Sequence, residues 1–288
     1  MANDDRNPVQ QWWASNPMTY GTIHGETEHA GEKTELGSKQ FFERVDRTFY
    51  DWNPQLHANG KFDLLFPYEK YKSGARVLEI GCGMGTMAMN WAQNGSDVTA
   101  IDLNPTSIEQ TRRRFDLLGL KGDIRQMDGT RLDLADESFD YVYSWGVLHH
   151  SPSLAQSLRE MMRVTRKGGG FGLMLYSRES IFYSYKIRYL EGFLHLENRF
   201  ASPLELASRY TDGAEKEGNP HTWPITDDEL RAMLGPASRD LNFMRFGEEV
   251  GDIFKYLLPG VSRVLPEWVM RPWRNHFGWS TWARGHKD

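Results

Sequence analysis

VLEIGCGMGTMA, at residues 77–88, joins an apolar run that includes a glutamate to three glycines at alternate positions. The apolar run is typical of a buried strand, and the residues that follow it are typical of a helix ending at Gly95. Gly81, Gly83 and Gly85 let the backbone turn sharply and approach a ligand closely, because they carry no Cβ. The sequence therefore predicts a strand, a ligand-binding elbow and a helix.

The alternation of strand and helix continues on the C-terminal side of the elbow. Four further strands are predicted at DVTAIDLN (97–104), GDIRQMDG (122–129), FDYVYSWG (139–146) and FGLMLYS (171–177). Helices are predicted over 105–120 and over 153–170, the second ending in glycines. Two more strands, at 237–247 and 276–287, bring the total to seven. This alternation predicts right-handed βαβ units, and therefore a Rossmann-like α/β fold with a mostly parallel sheet and helices on both faces.

The changing pattern of predicted strands and helices divides the chain into four segments. Residues 1–72 are predicted to form a helical N-terminal cap or lid, and residues 73–177 the Rossmann-like core. Residues 178–235 are predicted to be a helical insertion on the substrate side. Residues 236–288 supply the last strands of the sheet together with a helical insertion. Most of the ten tryptophans lie outside the core segment, where they either pack flanking elements or wall an acceptor pocket.

Composition argues against several classes of function. A net charge of −5 gives no basic footprint for nucleic acid, and the single cysteine, Cys82, excludes a disulfide framework or a multi-cysteine metal site. His24, His29 and His195 lack partners at ligand spacing, so no metal site is expected. The polar first residues and the lack of an apolar run of about 20 residues predict a cytoplasmic protein without a membrane span.

The glycines do not fit the dinucleotide-binding fingerprint G-x-G-x-x-G, whose third glycine would fall on Thr86. From Glu79 the sequence reads E-x-G-x-G-x-G, and the strand ends at 97–104, 122–129 and 139–146 follow in order. This set resembles the motifs of the class I S-adenosylmethionine-dependent methyltransferases. The resemblance covers residues 74–176, and the GVLHH after strand four is similar to the post-motif of bacterial small-molecule and glycan methyltransferases.

The resemblance implies that S-adenosyl-L-methionine is the cofactor. Asp102 is expected to accept both ribose hydroxyls, and Asp128 to accept from the adenine amino group; a helix-terminal acid and a solvated turn aspartate are the alternatives. Tyr20 is expected to lie near the methionine end of the cofactor; the alternative is that it only packs the lid. Arg44 is expected to pair with the methionine carboxylate; the alternative is that it is a surface charge. The expected cofactor residues are Glu79, Gly81, Cys82, Gly83, Gly85, Asp102, Leu103, Met127, Asp128, Gly129, Ser144, Trp145, Tyr20 and Arg44.

By the same resemblance, the loop after strand four faces the transferred methyl group. Consecutive side chains diverge, so His149 and His150 are not expected to share one metal or one task. One histidine is expected to bond to the backbone. The other, His149, is expected to act as a general base, because imidazole titrates near pH 6.5. Alternatively, both histidines shape the cofactor pocket.

The predicted function is in-line methyl transfer to an oxygen or nitrogen of a small molecule, such as a natural product or a sugar. Carbon methylation of a quinone-like ring, sulfur methylation and a non-catalytic cofactor-binding protein remain alternatives. A nucleic-acid substrate is disfavoured, since strand four is not followed by the Asn/Asp-Pro-Pro-Tyr/Phe motif of base methylation. The sequence leaves open whether the chain forms a homodimer.

Overall fold

The computed structural model describes residues 8–18, 34–57, 61–212, 219–247, 250–251 and 265–288. Among them lie seven strands: β1 Arg76–Ile80, β2 Asp97–Asp102, β3 Asp123–Gln126, β4 Phe139–Trp145, β5 Thr165–Tyr176, β6 Ser238–Phe246 and β7 Ser280–Lys287. They form one sheet in the order β3-β2-β1-β4-β5-β7-β6. β1 pairs in parallel with β2 and β4, β2 pairs in parallel with β3, and β6 pairs antiparallel with β7. The predicted seven-stranded, mostly parallel Rossmann-like sheet is confirmed.

Four of the described α-helices begin at a residue whose side chain caps the first turn, namely Ser38, Asn104, Ser202 and Thr226. The α-helices are α1 Pro8–Ser15, α2 Lys39–Asp51, α3 Thr86–Gln93, α4 Pro105–Leu117, α5 Leu154–Val164, α6 Pro203–Arg209, α7 Asp227–Leu234 and α8 Glu267–Phe277. Short 3-10 helices lie at Pro54–Leu56, Tyr68–Tyr71, Leu148–His150, Glu197–Arg199 and Gly235–Ala237. Ser202 and Thr226 form capping boxes at the starts of α6 and α7, so these helices begin at fixed residues.

Contacts divide the chain into two compact units. The glycine-elbow unit comprises Trp13–Ser144 and Arg159–Phe171, and the histidine unit comprises Met1–Trp12, Trp145–Leu158 and Gly172–Asp288. In the glycine-elbow unit, the buried Trp91 packs against a set of aromatic rings, namely Phe66, Tyr68, Tyr141 and Tyr143. The four segments predicted from composition follow different boundaries and stay a prediction.

The helix predicted over 153–170 is shorter than expected. α5 ends at Val164, and the three glycines predicted to end the helix lie inside β5. A Cβ on Gly170 would lie 2.5 Å from the hydroxyl of Tyr71 and 2.9 Å from the ring of Tyr141. At least this glycine therefore serves the close packing of a strand rather than a helix end.

The insertion begins with a π-helix, Phe182–Leu194, rather than the α-helical pattern that its sequence suggests. The side chains of Tyr183 and Ile187 are buried against α6 and Trp279 in the core of the histidine unit. In the last segment, α8 is described, whereas residues 252–264 of the predicted helical insertion lie outside the described residues. No helix in the described ranges has the length and apolarity needed to cross a bilayer.

Candidate functional site

The backbone after β1 forms a tight elbow. Gly81, Gly83 and Gly85 have φ angles of +84°, +52° and +78°, in the region that favours glycine. The N–H groups of Gly81 and Cys82 donate to the carbonyl of Ile101 at 2.7 and 2.9 Å, which fastens the elbow to β2. The predicted strand–elbow–helix unit is therefore present.

Gly83 and Gly85, the second and third glycines of the elbow, serve different purposes. A Cβ on Gly85 would lie 2.8 Å from the side chain of Thr111, so Gly85 is required for packing against α4. A Cβ on Gly83 would meet no atom within 4 Å. Open space beside a backbone N–H in this conformation is what a closely bound ligand requires.

Asp102 ends β2 and faces the elbow. Its Oδ2 accepts the N–H of Gly83 at 2.8 Å, and its Oδ1 accepts the N–H of Asn104 at 2.8 Å. Removal from water raises the pKa of Asp102, and the N–H groups of Asn104, Gly83 and Leu103 oppose that rise. Each carboxylate oxygen offers more than one acceptor site, so both remain able to accept ligand hydroxyls.

The end of β3 lies beside the end of β2. The N–H of Met127 donates to the backbone carbonyl of Asp102 at 3.0 Å, and Gln126 Nε2 donates to the carbonyl of Leu103 at 2.9 Å. Asp128 Oδ1 accepts the N–H of Thr130 at 2.8 Å, which fixes the turn. Five of the expected cofactor residues, namely Asp102, Leu103, Met127, Asp128 and Gly129, therefore come from two neighbouring strand ends.

Glu79 is buried at the base of the elbow, with 2% of its surface exposed. Burial raises its pKa to about 8; the hydroxyl of Tyr143 opposes the rise, and the charge of Asp102 adds to it. Within the described part of the chain, its Oε2 has no hydrogen-bond partner. A buried carboxyl group with an unused oxygen fits a cationic ligand, and the ammonium and sulfonium groups of S-adenosylmethionine are of that kind.

Three other expected cofactor residues are buried. Ser144 donates its hydroxyl to the carbonyl of Ile80 at 2.8 Å, which joins the ends of β4 and β1. Burial raises the pKa of Cys82, so its thiol stays uncharged. Trp145 belongs to the histidine unit, where its ring stacks on Phe246 at 5.7 Å between centroids. None of these contacts tests their expected role with the cofactor.

The two cap residues expected near the methionine group have different outcomes. Tyr20 lies outside the described residues. Arg44 lies half-buried on α2, and its pairing with a methionine carboxylate stays a prediction.

An ion pair that the sequence did not reveal joins α2 to α4, and a hydrogen bond to the same carboxylate joins α2 to α3, the helix after the elbow. Asp46 accepts from Arg114 Nη1 and from the hydroxyl of Thr86, both at 2.7 Å. Arg114 is 1% exposed, and its guanidinium lies 4.5 Å over the ring of Phe42. No short motif carries this cluster, since its two charged members are 68 residues apart.

Asn104 fastens the N-terminal segment next to Asp102. Its Oδ1 caps α4 by accepting the N–H of Ser107 at 3.1 Å. Its Nδ2 donates to the carbonyls of Trp13 and Ala14, both at 2.9 Å. The end of α1 therefore lies against Asn104, close to Asp102, the residue predicted to bind the ribose.

In the histidine unit, His149 and His150 lie in the 3-10 helix after β4. Their ring centroids are 4.1 Å apart, and the His149 ring also packs 4.1 Å from Tyr176. The expectation that the two side chains diverge is wrong, because the tight turn and the Tyr176 ring bring them together. The structure also places Asp212 with them: potential ligand atoms of the three residues all lie within 4.8 Å of one another.

The two imidazoles have different surroundings. His150 Nδ1 lies 3.0 Å from the carbonyl oxygen of His221, and its Nε2 lies 3.2 Å from Oδ2 of Asp212. His149 is fully buried, and neither of its ring nitrogens has a hydrogen-bond partner in the described residues. Burial, together with the neighbouring His150 and His221, holds the pKa of His149 well below its ordinary value. His149 is therefore a neutral imidazole at physiological pH.

Comparisons with known proteins agree with this geometry. The profile of the family described as "Methyltransferase domain" matches residues 78–173. The ubiquinone biosynthesis O-methyltransferase of Methylocella silvestris is 34% identical over 178 residues, 59% of this chain and 69% of that protein. The demethylmenaquinone methyltransferase of Beutenbergia cavernae is 43% identical over 100 residues, 34% of this chain and 39% of that protein. Across three of the curated relatives, the chain spans only 38% to 51% of their length.

A solved structure shows the same fold. The S-adenosylmethionine-dependent methyltransferase from Methanosarcina mazei superposes with a TM-score of 0.54 at 19% identity. The superposition covers 77% of this chain and 98% of that one.

Proposed function

Since this chain belongs to the family of S-adenosyl-L-methionine-dependent methyltransferases, we propose that it methylates an oxygen or nitrogen atom of a small molecule, such as a natural product or a sugar. The observation that carries the proposal is the elbow beside Asp102. Gly83 donates its N–H to that carboxylate and leaves open space where a side chain would stand. The bound cofactor supplies a methyl group on a cationic sulfur, and the protein aligns it with the acceptor for in-line displacement.

Each part of the cofactor has a proposed site in the glycine-elbow unit. Asp102 holds the ribose hydroxyls, and Asp128 accepts from the adenine amino group, with Met127 or Gly129 against the ring. Glu79 faces the cationic methionine end. The adjacency of the β2 and β3 ends supports the first two roles, and the unused Oε2 of Glu79 supports the third.

The N-terminal segment is proposed to act as a lid over the cofactor. The bonds from Asn104 to the carbonyls of Trp13 and Ala14 support this role, because they hold the end of α1 next to the ribose-binding residue. Tyr20 and Arg44 keep their proposed places near the methionine group. Exclusion of water strengthens every electrostatic contact to the sulfonium.

His149 is proposed to accept the proton of the acceptor. A neutral ring nitrogen without a hydrogen-bond partner among the described residues supports this role. Its lowered pKa is compatible with an oxygen acceptor, because the O–H group becomes much more acidic as the new O–C bond forms. The relative named a ubiquinone biosynthesis O-methyltransferase also favours oxygen.

The second candidate is methylation of a quinone-type ring. The names of the relatives from Beutenbergia cavernae and Methylocella silvestris both refer to quinones, which favours this acceptor class. Two properties stay predictions from the sequence: a cytoplasmic location and the lack of a nucleic-acid partner. Whether the chain forms a homodimer stays open.

A labelled-methyl screen tests the proposal. The full chain is incubated with methyl-labelled S-adenosylmethionine and fractionated metabolite pools, and labelled products are identified by mass spectrometry. The expected result is label in a small hydroxyl or amino compound, lost with Asp102→Ala. Calorimetric binding of S-adenosylmethionine without label transfer to any pool would instead indicate a binding protein, and binding of NADH in its place would reject the cofactor.

A further inference from the structure

The imidazole of His149 is buried without hydrogen bonds to its polar atoms. Its surface is 0% exposed, and in the described part of the chain neither ring nitrogen has a hydrogen-bond partner. Its ring packs against those of His150 and Tyr176, each 4.1 Å away between centroids. Burial of a polar group that makes no hydrogen bond costs free energy. The ring therefore lacks a partner, and a metal ion is one that a neutral imidazole binds well.

Two further ligand groups lie beside His149. Potential ligand atoms of His149, His150 and Asp212 all lie within 4.8 Å of one another. Nε2 of His150 lies 3.2 Å from Oδ2 of Asp212. Two imidazoles and one carboxylate form a donor set that divalent zinc and other first-row ions use. All three residues belong to the histidine unit.

The second nitrogen of His150 is held by its surroundings. Nδ1 lies 3.0 Å from the carbonyl oxygen of His221 and 3.2 Å from Oγ1 of Thr222. In metal sites, a ligating histidine usually directs its other ring nitrogen at a backbone carbonyl or a carboxylate, which fixes the orientation of the ring. The contact with His221 is of this kind, and it leaves Nε2 directed at Asp212.

Asp212 is held in place by two neighbours. The hydroxyl of Tyr176 donates to Oδ2, the carboxylate oxygen that faces His150. Asn219, which is 3% exposed, donates Nδ2 to the backbone carbonyl of Asp212 at 2.6 Å, and its Oδ1 accepts the N–H of His221 at 3.0 Å. Metal sites use outer bonds of this kind to orient the groups that touch the ion.

A shared proton is the simpler explanation of the cluster, and it accounts for less. A proton between His150 and Asp212 explains the 3.2 Å contact, but it leaves the nitrogens of His149 without a partner. An ion engages all three side chains. Asp212 gives it access, because this side chain is 26% exposed, whereas that of His150 is 5% exposed.

We propose that His149, His150 and Asp212 bind a divalent first-row transition metal ion, with Zn²⁺ as the best match, and that the bound ion inhibits methyl transfer. One ring nitrogen of His149, Nε2 of His150 and a carboxylate oxygen of Asp212 are the ligands, and water takes the remaining position. A nitrogen that gives its lone pair to the ion cannot accept a proton from the acceptor. The inhibition rests on the proposed function, whereas metal binding does not.

Loading requires a limited contraction of the cluster. A tetrahedral ion with bonds of about 2.0 to 2.2 Å places its ligand atoms about 3.3 to 3.6 Å apart. The contact between His150 and Asp212, at 3.2 Å, already has this spacing. A separation of up to 4.8 Å between His149 and the other two has to close. Because the ion binds only the folded cluster, it is expected to raise Tm as its concentration increases.

Calorimetric titration of Zn²⁺ into the metal-free full chain tests binding. We expect one ion per chain, with an affinity at least tenfold lower in His149→Asn and in Asp212→Asn. Tyr176→Phe keeps the ring but removes the hydrogen bond to the carboxylate, and it should weaken binding by about tenfold. The matched control His195→Asn removes an exposed histidine beside Glu191 in the same unit and should retain the wild-type affinity. Circular dichroism shows which variants are folded.

Cobalt(II) reports the coordination of the wild-type protein directly. It replaces Zn²⁺ in such sites, and its visible absorption distinguishes tetrahedral from octahedral coordination. The expected spectrum is tetrahedral and disappears when Zn²⁺ is added. Because this measurement uses the wild-type chain, it decides the question even where a variant fails to fold.

Three binding results would overturn the inference. One is the absence of saturable Zn²⁺ binding by the wild-type chain, and another is an octahedral cobalt spectrum. The third is an affinity that stays unchanged in folded His149→Asn and Asp212→Asn, which would mean an adventitious surface ion only. Since none of these measurements needs an acceptor, failure of the methyl screen leaves their outcome intact.

Once the screen supplies an acceptor, kinetics test the inhibition. Zn²⁺ is expected to lower kcat of the wild-type protein with a midpoint near its Kd, and a chelator is expected to restore the rate. In Asp212→Asn the midpoint, measured against that variant's own metal-free rate, should rise at least tenfold. Undiminished transfer by the wild-type protein at saturating Zn²⁺ would overturn the inhibitory role.

Discussion

Replacing Glu79 by glutamine tests how the elbow handles charge. Burial raises the pKa of Glu79 from 4.5 to about 8, so about nine tenths of the folded molecules carry a neutral Glu79 at pH 7. A cationic ligand beside the carboxyl group favours its ionised form. Binding of S-adenosylmethionine to the wild-type protein is therefore expected to release up to about 0.9 protons at pH 7 and about 0.5 at pH 8.

The same pKa fixes the sign of a stability effect. Because the pKa in the folded state lies above the ordinary value, the contribution of Glu79 to stability is fully present below pH 4.5 and is lost as the pH rises toward about 8. Each pKa unit corresponds to about 1.4 kcal/mol, so the loss between pH 5 and pH 8 is roughly 3 to 4 kcal/mol. Glu79→Gln lacks this loss, and its unfolding free energy relative to wild type is expected to rise over that range.

Two measurements on the same proteins check both effects. Calorimetry of S-adenosylmethionine binding in buffers of different ionisation enthalpy gives the protons released, and urea unfolding from pH 5 to pH 8 gives the stability. Glu79→Gln is expected to release almost no proton and to bind the cofactor more weakly by about 1.5 to 3 kcal/mol, the scale of a hydrogen bond to a charged group. Glu109→Gln, an exposed glutamate on α4, is the matched control for both.

Two outcomes would refute the reasoning about Glu79. The first is wild-type binding at pH 7 with no proton release, which would mean that no cationic group reaches the carboxyl. The second is a stability difference between Glu79→Gln and wild type that stays constant from pH 5 to pH 8, which would mean that Glu79 ionises normally.

Three further substitutions test the elbow and its support. Asp102→Asn is expected to weaken cofactor binding by about 2 kcal/mol by calorimetry, and unchanged affinity would contradict the ribose role. Gly83→Ala should abolish cofactor binding, whereas Gly119→Ala, also at positive φ with open space, should lose comparable stability but keep its affinity. Asp46→Asn leaves Arg114 buried without its carboxylate and should lower the urea unfolding free energy by about 2 to 4 kcal/mol; a smaller loss would show that the pair contributes little.

The elbow could be predicted because its signal is local. The three alternate glycines follow β1 directly, and Asn104, which caps α4, lies close after the end of β2, so their backbone requirements are visible in the residue types. Asp102 was predictable for the same reason, since it ends an apolar run in a known order of motifs. In each case short-range geometry decides the structure.

The remaining groups could not be predicted because tertiary packing decides them. Asp46 and Arg114 are far apart in sequence, and nothing in either helix indicates the other. The glycines after α5 have the pattern of a helix end, but the rings of Tyr71 and Tyr141 use one of them for strand packing. Adjacent histidines diverge on a simple strand or helix, and only the 3-10 turn under Tyr176 makes their rings converge.

Substitutions are expected to affect the proposed cofactor groups and the proposed acceptor groups differently. The groups proposed for the cofactor lie mainly on one run of chain, from Glu79 to Gly129, whose backbone bonds depend on one another. The group proposed to take the acceptor's proton depends on separate elements, because the ring of His149 packs 4.1 Å from that of Tyr176 at the end of β5 and its backbone carbonyl accepts the N–H of Trp223 in the insertion at 2.8 Å. Substitutions in the insertion can therefore alter the acceptor side while the elbow and its bond to Asp102 stay intact. The 178–235 segment is thus the part of the chain in which specificity for the acceptor should be sought first.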